Sequence, residues 1–172
     1  MKPPPTEKSY HIFYQMMAGL HPDERAQLGL SHFGIKDLNY LNMGDTRQDE
    51  MEDADRFEQW RSSLAVLGIP FMDVIRVLSA ILLLGNVRFT PRVGDDAFDV
   101  EIIGKEELQS AAKLLGVSVT MLIQGLTMRT HSVRGQAINS LTDSHQVYSS
   151  CSNIMTSISS SADYLCIIIN MH

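Results

Sequence analysis

The chain has 172 residues, with 14 Lys and Arg against 20 Asp and Glu, a net charge of −6. That balance argues against a nucleic-acid-binding surface, which is normally basic, and the length allows one domain with a real core. The two cysteines, Cys151 and Cys166, fall in the last 22 residues and make no disulfide framework, so a reducing cytosolic setting is the default.

The opening Met1-Lys-Pro-Pro-Pro-Thr6 lacks an apolar h-region and reads as a disordered lead-in over residues 1–6, not as a signal peptide. Thr6 is placed to cap a helix over 7–20. There Tyr10, Phe13, Tyr14 and Met17 share one face, Ile12 and Met16 sit beside it, and Gly19 closes the helix. This aromatic and methionine stripe reads as core packing, not a cofactor box. Pro22, Asp23 and Glu24 then open a second short helix, whose positive dipole end suits acids. Residues 40–45 form a turn-rich connector.

Asp49, Glu50, Glu52, Asp53 and Asp55 lead into a helix through Leu67, with Phe57, Trp60, Leu64 and Leu67 as its apolar stripe and Arg56 and Arg61 on other faces. Their spacing matches no calcium loop, so they read as a solvated helix start. The next stretch, Asp73-Val-Ile-Arg-Val-Leu-Ser-Ala-Ile-Leu-Leu-Leu-Gly-Asn-Val-Arg-Phe89, is the most apolar. Val74, Val77, Leu78, Ile81 and Leu82 recur at helical spacing, and other apolar residues fill the remaining faces, so the helix is expected to be buried. It is too short for a bilayer, which takes about 20 residues, and Gly85-Asn86 is expected to cap it in the left-handed conformation.

Short strands are expected at about 87–89 and 98–103, the second able to pair with the first. A helix over 106–115 turns Leu108, Ala111, Ala112 and Leu115 inward and ends at Gly116; Ser118 caps another that reaches Leu126. A hairpin at about 129–138 follows, carrying Arg129, His131 and Arg134 with Gly135 near its turn. This small basic loop reads either as a merely solvated turn, the commoner case, or, on an acidic chain, as a loop that steers an acidic partner. From residue 148 the composition shifts: residues 148–161 hold seven serines and no lysine or arginine, and 148–172 reads as a disordered tail.

Catalytic signals are absent from the sequence. It has no Gly-rich phosphate loop, no paired Cys or His at metal spacing and no nucleophile elbow. His11 and His32 lie near aromatic residues without a motif partner and read as structural. The adjacent Asp143, Ser144 and His145 would not converge on one substrate atom. The expected catalytic, cofactor-binding and metal-binding sets are therefore empty.

Three stretches together resemble a known family. Glu7-Lys-Ser-Tyr-His-Ile-Phe-Tyr-Gln-Met-Met-Ala-Gly19 resembles the myosin motor segment ERNFHIFYQLLAG, and residues 73–89 resemble DIFRILAAILHLGNVEF. Ala111-Ala-Lys-Leu-Leu-Gly-Val117 with Leu126-Thr-Met-Arg-Thr130 is similar to AAELLGV followed by LTSRT. Order and spacing agree over 7–147. The resemblance implies a mainly α-helical α+β fold, an incomplete piece of the P-loop-type myosin motor from its upper 50-kDa subdomain, in an unconventional or divergent class. It implies actin filaments and the remainder of a motor as partners, no nucleic acid, no transmembrane segment, and a cytoplasmic, cytoskeletal location. Magnesium-ATP serves the full family motor; this chain, lacking the phosphate loop and both switches, is expected to bind no cofactor and not to hydrolyse ATP alone.

The hairpin resembles the family's actin-contacting loop, with Arg129, His131, Arg134 and Gln136 as its polar positions. Gln136 falls where many myosins carry an acidic or phosphorylatable residue, and glutamine is neither. Leu83 replaces the usual histidine of the core motif. The rival readings are a non-catalytic actin-binding fragment and an unstable truncated product.

Overall fold

The computed structural model describes residues 8, 10–42, 45–91, 100–133 and 136–141. Among them the chain is mainly helical with two small antiparallel ladders. The lead-in at 1–6, Thr6 and the tail at 148–172 lie outside the described residues.

Helix α1, His11–Gly19, starts after an extended Tyr10. Most of the expected stripe is inside: Ile12, Phe13, Tyr14, Met16 and Met17 are buried, and Tyr10 is half-buried. Gly19 ends this helix without the positive φ of a left-handed cap. Its glycine has a packing reason instead. An added Cβ would stand 2.7 Å from the Phe57 Cβ, so the helix backbone at Gly19 rests directly on the Phe57 side chain. Helix α2 runs Pro22–Gln27, and Gly29 then turns the chain at φ 71°.

Helix α3, Glu50–Val66, is capped by Asp49, whose carboxylate accepts from the Glu52 N–H at 3.1 Å. The acidic start is not wholly solvated. Asp53 is buried and pairs with Lys8 Nζ at 3.5 Å. Phe57, Trp60 and Leu64 face the core, whereas Leu67 is 57% exposed, since the helix has ended and Gly68 (φ 69°) redirects the chain.

Helix α4, Phe71–Asn86, is the central element. Ile75, Leu78, Ala80, Ile81, Leu82 and Leu83 are buried, and Leu83 occupies its place in the core without a polar atom. Val77 departs from the expected wrap at 37% exposure. Gly85-Asn86 does not form a left-handed cap either: both residues are helical, and Val87 leaves in extended geometry. The helix continues because Asn86 satisfies neighbouring backbone with its side chain. It accepts from the Asn39 N–H at 2.9 Å and donates to the Asp37 carbonyl at 2.9 Å.

Strands β1, Arg88–Pro91, and β2, Val100–Ile103, pair antiparallel with Phe89 opposite Ile102. The pairing is the expected one, shifted along the chain; residues 92–99 lie outside the described set. Helix α5, Lys105–Leu115, turns Leu108, Ala111 and Ala112 inward and closes on Gly116 at φ 69°. Leu115, in its last turn, is 38% exposed rather than inward. Helix α6, Val119–Thr127, begins where Ser118 Oγ accepts from the Met121 N–H at 3.2 Å. No helix among the described residues is long and apolar enough to cross a membrane.

Two apolar clusters result. The larger joins α1, α3 and α4, with Leu28, Leu30, Leu38 and Leu41 from the intervening segments and Ala111 from α5. The smaller gathers Val87, Leu108 and Leu126, with Phe89, Ile102 and Ile123 packed on it.

Candidate functional site

The smaller cluster holds the end of α6, and the chain passes from it directly into a hairpin. Strand β3, Met128–Val133, pairs antiparallel with β4, Gln136–Leu141. Leu126, buried with Val87 and Leu108, fixes the point from which the hairpin leaves the body. The ladder sets Arg129 opposite Ser140, His131 opposite Ile138 and Val133 opposite Gln136. Side chains alternate between faces along a strand, and directly paired residues share a face. Arg129, His131 and Gln136 therefore fall on one face of the ladder. That grouping is invisible in the linear order, where 131 and 136 differ in parity; the register across the turn brings them together. Arg134 lies outside the described residues, as do Asp143, Ser144 and His145.

The two histidines read as structural, His11 and His32, are both exposed, so packing does not require them. Among the described residues no group of three His, Cys, Asp or Glu side chains could hold a metal ion. An open cleft of about 480 Å³ lies where the end of α2, the start of α4 and the end of α5 meet, lined by Met72, Arg76, Lys113 and Leu115 among others. Arg76 pairs with Asp73 at 3.5 Å, and Lys113 sits in the last turn of α5, where a cation answers the helix dipole. The cleft lining contains no nucleophile with a neighbouring base.

Two polar clasps hold the body that carries the hairpin. One is the Asn86 carboxamide, joined by the Asn39 Nδ2 donating to the Gly85 carbonyl at 3.3 Å. It ties the segment before Tyr40 to the end of α4, beside the start of β1. The other is Arg61. Its guanidinium lies 4.3 Å from the Phe71 ring centroid and 5.5 Å from that of Phe57, while one nitrogen donates to both Glu24 oxygens at 2.9 and 2.8 Å. One side chain thus joins α2, α3 and α4. Burial acts to raise the Glu24 pKa, but the His21 N–H and the Arg61 guanidinium outweigh it and hold the carboxyl below its ordinary value. At the exposed entry to α3, hydrogen bonds from the Arg47 side chain and backbone bring Asp45 down to about 2. Sequence reading assigned Arg61 only to "another face" and gave Asn86 a capping role, because their partners lie 37 and 47 residues away.

The chain matches the family model for the myosin head (motor domain) over residues 1–171 and belongs to that family. It is 35% identical to Myosin-1 of Arabidopsis thaliana over 136 residues, 77% of this chain and 11% of the relative. It is 33% identical to Myosin-VIIa of Drosophila melanogaster over 137 residues, 77% of this chain and 6% of the relative. With unconventional myosin-Ib of Homo sapiens the identity is 27% over 154 residues, 86% of this chain and 13% of the relative. The chain thus spans about a tenth of the length of these curated relatives.

Proposed function

We propose that this chain is the upper 50-kDa part of an actin-based myosin motor and that its β3–β4 hairpin meets the actin filament. Membership of the motor family supports the reading, and the observation that carries it is the ladder register that groups Arg129, His131 and Gln136 on one face. In the full P-loop-type motor, binding and hydrolysis of magnesium-ATP would drive movement along filaments in the cytoplasmic cytoskeleton. The sequence of this chain holds no Gly-rich phosphate loop. Its own part is filament contact, through cations that steer and hold an acidic surface.

Cosedimentation with filamentous actin tests this. The chain is expected to pellet with filaments at low ionic strength and to be released by salt. Replacing Arg129 and Arg134 together by Ala should weaken pelleting about three- to tenfold. Pelleting that ignores both salt and the double substitution would overturn the contact role. ATP hydrolysis above background by the isolated chain would overturn the view that catalysis lies elsewhere.

A further inference from the structure

The cleft between the end of α2, the start of α4 and the end of α5 joins two kinds of lining. Leu28 is buried, Met72 and Leu114 are half-buried, and Leu115 is exposed. Two exposed cations, Arg76 and Lys113, stand among these apolar side chains. The lining contains no carboxylate, on a chain of net charge −6. Asp73 pairs with Arg76 at 3.5 Å, but both side chains are more than half exposed, so the pair is weak and open to exchange. The carbonyl end of α5 carries about half a unit of negative charge, less than the full positive charge of Lys113 in its last turn. The volume of about 480 Å³ falls within the range of ligand pockets, about 300–1,000 Å³.

We propose that this cleft takes a small anionic amphiphile, with an apolar chain along Leu28, Met72, Leu114 and Leu115 and an acidic head turned to Arg76 and Lys113. Each part has a physical reason. Withdrawing the chain from water onto these side chains supplies attraction without direction. The unbranched thioether of Met72 adapts to the shape of the chain. The two cations supply the choice of head. They are exposed, so each contributes modestly, about two- to fivefold at low ionic strength, and salt screens the gain. A neutral amphiphile gains only the apolar contact, and a short carboxylate only the charge contact. The site is independent of the filament contact proposed for the hairpin.

The test titrates the full chain, isotope-labelled at its methionine methyl groups, with octanoate, octanol and acetate at about pH 7, where a carboxylate is ionised. The chain has ten methionines, and the variant Met72→Leu identifies the Met72 signal in the spectrum. That signal should move saturably with octanoate. Octanol should bind about three- to tenfold more weakly, and acetate should leave the signal in place. Arg76→Gln combined with Lys113→Gln, both at exposed positions, should bring octanoate down to the level of octanol and leave octanol binding unchanged. Leu115→Asn should weaken both amphiphiles alike. Asp73→Asn should tighten octanoate about twofold, because it frees Arg76 and removes a like charge. A Met72 signal untouched by octanoate, octanol binding as tight as octanoate at low ionic strength, or a double variant that keeps the preference for octanoate would each overturn the proposal. Equal movement of all ten methionine signals would overturn it as well, since that marks adsorption without a site.

Discussion

The helical body and the β3–β4 hairpin are held by different kinds of interaction. In the body, contacts join residues far apart in sequence: Tyr14 O–H donates to the Leu41 carbonyl, Arg61 reaches Glu24, and Asn86 bridges Asp37 and Asn39. The hairpin is a local ladder of two strands whose partners are at most Met128 and Leu141. A two-stranded hairpin adds little stability of its own in water. The sequence of the body answers to packing, whereas the hairpin's ladder is set by its own register. This is the usual division between a scaffold and the loop it positions.

The comparison can be broken most sharply at Phe57. Its ring is fully buried, stacks on Trp60 with centroids 5.8 Å apart and meets Phe71 edge-on. Phe57→Ala should cost about 3–5 kcal/mol, read from the midpoint of denaturant unfolding. Gly19→Ala should couple with that variant, because Phe57→Ala removes the ring atoms Cγ and Cδ1 that crowd the added Cβ, although the Phe57 Cβ at 2.7 Å remains; purely additive losses would contradict the close contact between Gly19 and Phe57.

A smaller loss is expected for Arg61→Lys, about 1 kcal/mol, since a lysine keeps the charge but neither spreads over the two rings nor donates as a planar fork. Full retention of stability would mean that charge alone holds α2 to the body.

Acid should loosen the same clasp. The folded-state pKa of Glu24 is lowered from 4.5, so its stabilising contribution is present above that ordinary value and is lost as the pH falls through the lowered one. Thermal unfolding followed from neutral pH down to about pH 3 should show this as a decline that Glu24→Gln flattens, small because the pair is partly solvated. A decline of the same size in the Gln variant would assign it to other carboxylates.

The smallest stability effect is expected in the hairpin. Arg129→Ala should shift the unfolding midpoint by less than about 0.5 kcal/mol while reducing filament pelleting. Unfolding of the body by that single change would erase the distinction between the two regions.

Much of this molecule was legible from local pattern. The α1 and α4 stripes, the Ser118 cap, the Gly116 stop and both strand pairings follow from periodicity and turn chemistry, which act over a few residues. The errors share a cause. Gly19 and Gly85 were read as backbone-conformation glycines, but Gly19 answers to the ring of Phe57 and Gly85 simply continues a helix. Asp53 looked solvated until Lys8 came alongside it. Leu67 and Leu115 fit their helical stripes yet sit at helix ends, where the core no longer reaches them. In the site, Arg129 and His131 stood out in sequence, but their grouping with Gln136 required the register.

The sequence by itself therefore determined where helices and strands form, which faces are apolar, and the motor-family signature. Tertiary structure alone decided why Gly19 must be glycine, what Arg61 and Asn86 hold, and which polar residues share the hairpin face. The physical reason is range. Hydrophobic period and capping depend on neighbours within a turn, whereas steric fit, ion pairing and register depend on partners that only the folded chain brings together.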